Sequence, residues 1–266
     1  MSDIHLGSAD IDDFEAEKSL ISLLDHLKPD ILVFLGDVID IWALAPFNKD
    51  TEDSNVVKSV NKMKGMFEKF CCMCRAVLYI PGNHDGAIGQ VGNSNRNLLQ
   101  FDWKIENLVV CEKLCLRGTL PIPEFGELLP AFAASAHGHE ESRFNRPGTL
   151  KGRYIASAYQ SALQIPLLQS VRRLRPWFEN IPFVGDWEHR ELLNLGKKFP
   201  DVSFIAGHTH RPFVTIQKCE ATFYALSSNY SPIEDRYRWY VNIGTWGYSR
   251  TYLVVDGFIW RLDVYK

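Results

Sequence analysis

The sequence predicts an α/β sandwich of two sheets with a helical insertion, and three observations predict it. In the first half, helical periodicity alternates with short continuous apolar runs, the pattern of strands buried on both faces between helices. Toward the C-terminus, short strand-like runs follow one another without helices between them, which predicts a second, mainly antiparallel sheet. Between these halves lies a segment of different composition. At 266 residues, 46% hydrophobic and 23% charged, the chain can bury a sizeable core, so we read 1–266 as one domain with 141–198 inserted as a helical cap.

In chain order, Phe14 to Leu27 carries Ala16, Leu20, Leu23, Leu24 and Leu27 at helical spacing, and Lys28-Pro29-Asp30 stops it. Ile31 to Leu35 is an unbroken apolar strand that delivers Gly36-Asp37. The pattern repeats as a helix around Val56 to Phe70, a strand Ala76 to Ile80, and then Pro81-Gly82-Asn83-His84-Asp85. Two further strands, Ala131 to Ala136 and Val202 to Ala206, run into His137 and Gly207-His208. Phe213 to Gln217, Thr222 to Leu226, Trp239 to Ile243, Tyr248 to Val255 and Phe258 to Tyr265 then read as hairpin strands, with Asp256-Gly257 as a two-residue turn.

The formal net charge of -3 excludes a global attraction to nucleic acid or anionic membrane. The exception is local: from Ser142 to Phe178 there are seven basic residues and no acidic one. No charged leader with an apolar core and no apolar run of spanning length occurs, which predicts a cytoplasmic protein with peripheral contact to the inner membrane face through the basic cap. Six cysteines in a chain of this size predict reduced thiols. Cys71-x-x-Cys74 with Cys111-x-x-x-Cys115 could suit zinc, but the first pair ends an apolar helix, and we read it as packing.

The chemistry is concentrated in five short segments: Asp3-Ile4-His5, Gly36-Asp37-Val38-Ile39-Asp40, Gly82-Asn83-His84-Asp85, His137-Gly138-His139 and Gly207-His208-Thr209-His210. Six of the eight histidines fall in them. All but the first follow a strand, and in α/β sheets the crevice beyond the carboxyl ends of strands is where ligands bind. Gly36, Gly82 and Gly207 each precede a candidate ligand, where a residue without Cβ lets backbone approach closely. Carboxylate and imidazole in one site suit Zn, Fe or Mn better than Mg or Ca, and two such ions can activate water and neutralise a phosphoryl group.

Taken together, the five segments resemble those of the calcineurin-like metallophosphoesterases, in order and across residues 3 to 210. The resemblance implies a two-sheet αββα sandwich and two divalent ions, manganese first, with zinc or iron as alternatives. It implies that Asp3, His5 and His210 hold one ion, that Asn83, His137 and His208 hold the other, and that Asp37 bridges them. It places His84 outside the metal shell as the group that stabilises the transition state or protonates the leaving group, with Asp40 as its carboxylate partner. His139 reads as a neighbour of the metal ligands rather than a ligand.

Within that superfamily, the chain is most similar to the bacterial branch containing UDP-2,3-diacylglucosamine pyrophosphatase. The matching stretches are Ser2-Asp3-Ile4-His5-Leu6-Gly7, Gly36-Asp37-Val38-Ile39-Asp40-Ile41-Trp42, the basic insertion, and Val241-Asn242-Ile243-Gly244-Thr245-Trp246. The expectation is therefore a hydrolase that cleaves a phosphoester or pyrophosphate bond by attack of metal-bound hydroxide, on a UDP-sugar lipid or another phosphorylated small molecule. Arg143, Arg146 and Arg153 are the expected substrate contacts. The lipid A enzyme usually has arginine at the position of His84 and aspartate at that of His139. A nucleotide or nucleic-acid phosphodiesterase thus stays open, as does a non-catalytic metal-binding scaffold. Only Met1 and Ser2 precede Asp3, which predicts a missing sheet strand and two ligands on a fraying end.

Overall fold

Helix α1 (Asp13–Leu27) starts where Asp12 caps it, its carboxylate accepting the Phe14 and Glu15 N–H groups at 3.1 Å each. It stops at Lys28, which turns into the left-handed region at φ 46°. Its buried stripe of Ala16, Leu20, Leu23 and Leu24 recurs at the helical period and packs inward. The computed structural model describes residues 1–8, 11–44, 54–86, 104–111, 114–122, 127–135, 137–138, 203–208, 210, 212–218, 237–247, 249–256 and 259–265. The 141–198 insertion and the strand expected at Thr222 to Leu226 lie outside them.

Three parallel strands form the first sheet: β1 (Ile31–Leu35), β2 (Ala76–Ile80) and β3 (Leu108–Val110), in that order. A four-residue helix α2 (Ile41–Leu44) and the long α3 (Ser54–Met73) connect the first two. Helix α3 buries Met63, Met66, Phe67 and Phe70. The Phe67 ring lies 5.5 Å from Phe34, 6.1 Å from Phe70 and 5.5 Å from Tyr79 between centroids, with no exposed surface of its own. Truncating it as Phe67→Ala is expected to lower stability by about 3–5 kcal/mol. The loss should appear as a lower urea midpoint at unchanged slope, and a shift worth less than about 1 kcal/mol would contradict this account of the core.

The second sheet contains β4 (Leu114–Ile122), β5 (Glu127–Ser135), β6 (Ser203–Ala206), β7 (Phe213–Lys218) and β8 (Tyr237–Asn242), in the order β4-β5-β6-β8-β7. It is mixed rather than mainly antiparallel, because β5, β6 and β8 run parallel and only the two outer pairings are antiparallel. The parallel centre brings the carboxyl ends of β5, β6 and β8 to one edge. Those ends carry His137, Gly207-His208 and Asn242.

Strand β5 extends through Pro130, which the sequence reading excluded. Proline is tolerated there because at that level β5 pairs only with β4, while β6 joins it at Ala133 to Ser135. The terminal hairpin of β9 (Thr251–Asp256) and β10 (Ile259–Val264) forms its own two-stranded sheet, with β10 beside β4. Asp256 pairs with Ile259 and is thus a strand residue rather than part of the expected Asp256-Gly257 turn.

Residues Met1 to Leu6 are buried, in contrast to the expected fraying. Leu35 donates to Met1 C=O at 2.7 Å, Asp3 to Gly36 C=O at 3.0 Å, His5 to Asp37 C=O at 2.9 Å and Leu6 to Val38 C=O at 2.9 Å. These bonds pair the segment's buried backbone groups, while Met1, Ile4 and Leu6 join the hydrophobic core. Beside Met1, a cavity of about 680 Å³ lies between β1 and β9, lined by aliphatic side chains together with Lys28, Asp30, Asp256 and Arg261; none of the candidate ligands lines it.

Candidate metal centre

The carboxyl ends of β1, β2, β5 and β6 and the N-terminal segment converge, and the turns that follow them are tight. A Cβ at Gly82 would overlap Asp37 Oδ1, and one at Gly207 would overlap Ser2 Oγ. Glycine is required at both positions because the facing groups are a site carboxylate and the segment that carries Asp3. Eight non-glycine residues among those described have positive φ, and five of them are candidate ligands: Asp3 at 53°, His5 at 55°, Asp37 at 52°, His208 at 68° and His210 at 58°. Such backbone is unfavourable for residues with a Cβ and concentrates at functional sites.

Two trios of possible ligand atoms result, Asp3 with His5 and His210, and Asp37 with His137 and His208. In each, the three atoms lie within 4.8 Å of one another. In the first, Asp3 Oδ1 is 3.3 Å from His210 Nε2, and His5 Nε2 is 3.2 Å from His210 Nε2. In the second, His137 Nε2 is 3.1 Å from Asp37 Oδ2 and 3.2 Å from Asn83 Oδ1. Asp3 Oδ1 also lies 4.0 Å from His137 Nε2, which makes the two trios neighbours. A third group contains His5, Asp40 and His84, where His84 Nδ1 is 2.8 Å from Asp40 Oδ1.

Buried charge dominates the electrostatics. Burial disfavours ionised Asp3, but His137 and His210 outweigh it and hold its carboxyl at about 2. Burial likewise opposes ionisation of Asp37 and Asp40, yet His137 and His84 bring the first well below the usual carboxylate range, and His84 and His5 lower the second. Burial works against charge on His137 and His84 too. Asp37 and Asp3 nonetheless push His137 up to about 10, and Asp40 and Asp37 raise His84.

This arrangement fits divalent cations. His137 Nδ1 lies 2.7 Å from Leu35 C=O and donates to it, which leaves Nε2 as the nitrogen facing Asp37 and Asn83. Asp3 Oδ1 is buried with no well-formed hydrogen bond, the His210 imidazole facing it at 3.3 Å, a costly state for a carboxylate oxygen unless positive charge faces it. The carboxylates demand positive charge, which protons on histidine supply in part and metal ions supply fully. Imidazole mixed with carboxylate is the ligand chemistry of first-row transition ions and zinc.

The converging Asp and His side chains could hold metal ions, and the family that the sequence matches is one of metal-dependent phosphoester hydrolases. Residues 1–212 match the calcineurin-like phosphoesterase family, and the chain belongs to it. No curated protein matches the chain.

The structure brings together Asp3, His5, Asp37, Asp40, Asn83, His84, His137, His208 and His210. Arg143, Arg146, Arg153 and His139 lie outside the described residues. The sequence reading gave no role to Asp85, which is fully buried. Its carboxylate accepts Val38 N–H at 2.7 Å, Gly82 N–H at 2.5 Å and Tyr79 O–H at 2.5 Å, and so ties the Asp37 loop to the Asn83-His84 loop. Asn242 was also missed: its Nδ2 donates to Gly207 C=O at 2.6 Å, and Thr245 Oγ1 donates to Asp3 C=O at 2.6 Å. Their signal in the sequence is the terminal Val241 to Trp246 stretch, which contains both residues.

Proposed function

We propose that the chain hydrolyses a phosphate ester or diphosphate bond at a two-ion centre. Asp3, His5 and His210 would hold one ion, Asn83, His137 and His208 the other, with Asp37 between them. The observation that carries this reading is the pair of neighbouring ligand trios, each built from one buried carboxylate and two imidazoles. When bound, two divalent ions supply an activated water and neutralise phosphoryl charge.

The protein's own groups do the rest. His84 stands beside the trios with Nδ1 held by Asp40 and Nε2 4.0 Å from Asp37 Oδ2, placed to give a proton to the departing oxygen. Its backbone N–H donates to Asp37 Oδ1 at 2.8 Å, so ligand and acid keep a constant separation. Asp40 also faces His5 Nδ1 at 3.5 Å and orients it.

For substrate, we favour a diphosphate linked to an apolar group, such as a UDP-sugar lipid. This rests on the resemblance and on the basic run containing Arg143, Arg146 and Arg153 next to Ile165-Pro166-Leu167-Leu168 and Trp177-Phe178. Manganese is the favoured ion. No helix among the described residues is long and apolar enough to cross a membrane.

Purified protein should contain about two ions per chain by elemental analysis, lose turnover on chelation and recover it with manganese. Bis(p-nitrophenyl) phosphate, p-nitrophenyl phosphate and a UDP-sugar lipid would separate diesterase, monoesterase and pyrophosphatase. Absence of turnover on all three with ions bound would sink the proposal. His84→Ala is expected to keep the ions and lose about 10²–10⁴-fold in turnover, and loss of metal in that variant would refute the role given to His84.

A further inference from the structure

Asp40 holds His84 at one ring nitrogen, and one hydrogen bond does not fix the plane of an imidazole. The second side-chain torsion of histidine is broad, so the ring can tilt about the Nδ1 to Asp40 contact while keeping it. A second restraint is present. The indole of Trp42 lies against the imidazole with centroids 4.2 Å apart and planes 30° from parallel, and the His5 ring meets His84 edge-on at 4.8 Å and 85°.

The stack is built from the same acid that bonds His84. Asp40 Oδ1 accepts the Ala43 N–H at 2.9 Å and thereby caps α2, the helix that carries Trp42. One carboxylate thus sets the ring by its edge and places the residue that covers its face. The result leaves His84 Nε2 directed to the Asp37 side of the centre, 4.0 Å from Asp37 Oδ2.

We propose that Trp42 is a positioning residue for His84, its stacked indole holding the imidazole at the tilt the reaction needs. This rests on the role given to His84 above. Misplacement of a reacting group costs on the order of a hundredfold in rate. Trp42→Leu should therefore lower kcat by roughly tenfold to a hundredfold, with KM within about twofold and metal content unchanged. Trp42→Phe, which keeps a ring, should recover most of the loss. The defect should be larger on an alkyl phosphodiester, whose leaving group needs a proton, than on a p-nitrophenyl ester.

Two measurements separate this inference from its premise. In a His84→Ala background Trp42→Leu should have no further effect, because the two act as one unit. In metal-free protein, Trp42→Leu should move the His84 ring-proton resonances out of the indole's shielding. An equal loss in the His84→Ala background, loss of metal from Trp42→Leu, or unmoved His84 resonances would overturn the positioning role while His84 kept its own. Full activity in His84→Ala would instead overturn the role of His84, and the inference with it.

Discussion

Asp37→Ala is expected to lose both bound metal and turnover. Asp37 is the buried carboxylate whose Oδ2 faces His137 Nε2 at 3.1 Å while Oδ1 receives the His84 N–H at 2.8 Å. Its charge is the largest influence raising the His137 pKa. Removing it would take away a proposed ligand and part of the negative potential that would draw cations in. If the ions contribute several kcal/mol of transition-state stabilisation, the loss is about a thousandfold or more, to background.

The isosteric Asp37→Asn sharpens the test. It can keep the acceptor for His84 N–H but puts a neutral amide where the second oxygen faces His137. We expect it to bind metal as poorly as the alanine variant by elemental analysis. Two ions per chain in Asp37→Asn would show that Asp37 does not bridge.

The second large effect is expected at a residue outside both trios. Asp85→Ala would leave the buried donors of Val38, Gly82 and Tyr79 without their acceptor. Each such orphan costs about 1–3 kcal/mol, so several kcal/mol of stability should vanish. The two loops it joins carry Asp37 and Asn83, and loss of such support typically weakens metal binding by about 10–100-fold. Thermal melting and metal titration of the same sample read both. A variant within about 1 kcal/mol of the parent in stability would show that water or relaxation satisfies these donors, and that Asp85 is no tie.

Much of the first sheet was legible because its signals are local. Ile31 to Leu35 and Ala76 to Ile80 are apolar runs bounded by a polar residue and a turn, and the observed β1 and β2 have those bounds. Strands β3 and β4 were missed for opposite reasons. The first is three residues long with an exposed face, and the second carries Arg117, Gly118 and Pro121, residues that argue against a strand. The mixed order of the second sheet depends on which strands meet, and no short-range pattern encodes that.

The site was legible to the extent that ligand types cluster in sequence. Neither the service of Asp85 to three buried donors nor the indole lying on His84 could be read there, because both depend on loops meeting in space. Burial of Met1 to Leu6 was hidden for the same reason. It is set by the carbonyls of residues 36 to 38, which accept from Asp3, His5 and Leu6, and by the packing of Met1, Ile4 and Leu6 into the core.

Five candidate ligands in left-handed backbone at Asp3, His5, Asp37, His208 and His210 have a consequence for the protein in a cell. Each such residue holds about 1–3 kcal/mol of unfavourable conformation, against a total folding stability of about 5–15 kcal/mol. The emptied centre thus stores strain that bound ions would offset. Ions at a hundred times their dissociation constant return about 2.7 kcal/mol, enough to change the unfolded fraction roughly a hundredfold. Metal supply would then set how long each molecule survives proteolysis as well as how fast it turns over. Starving cells of the ion should thin out the enzyme itself, and not merely silence it.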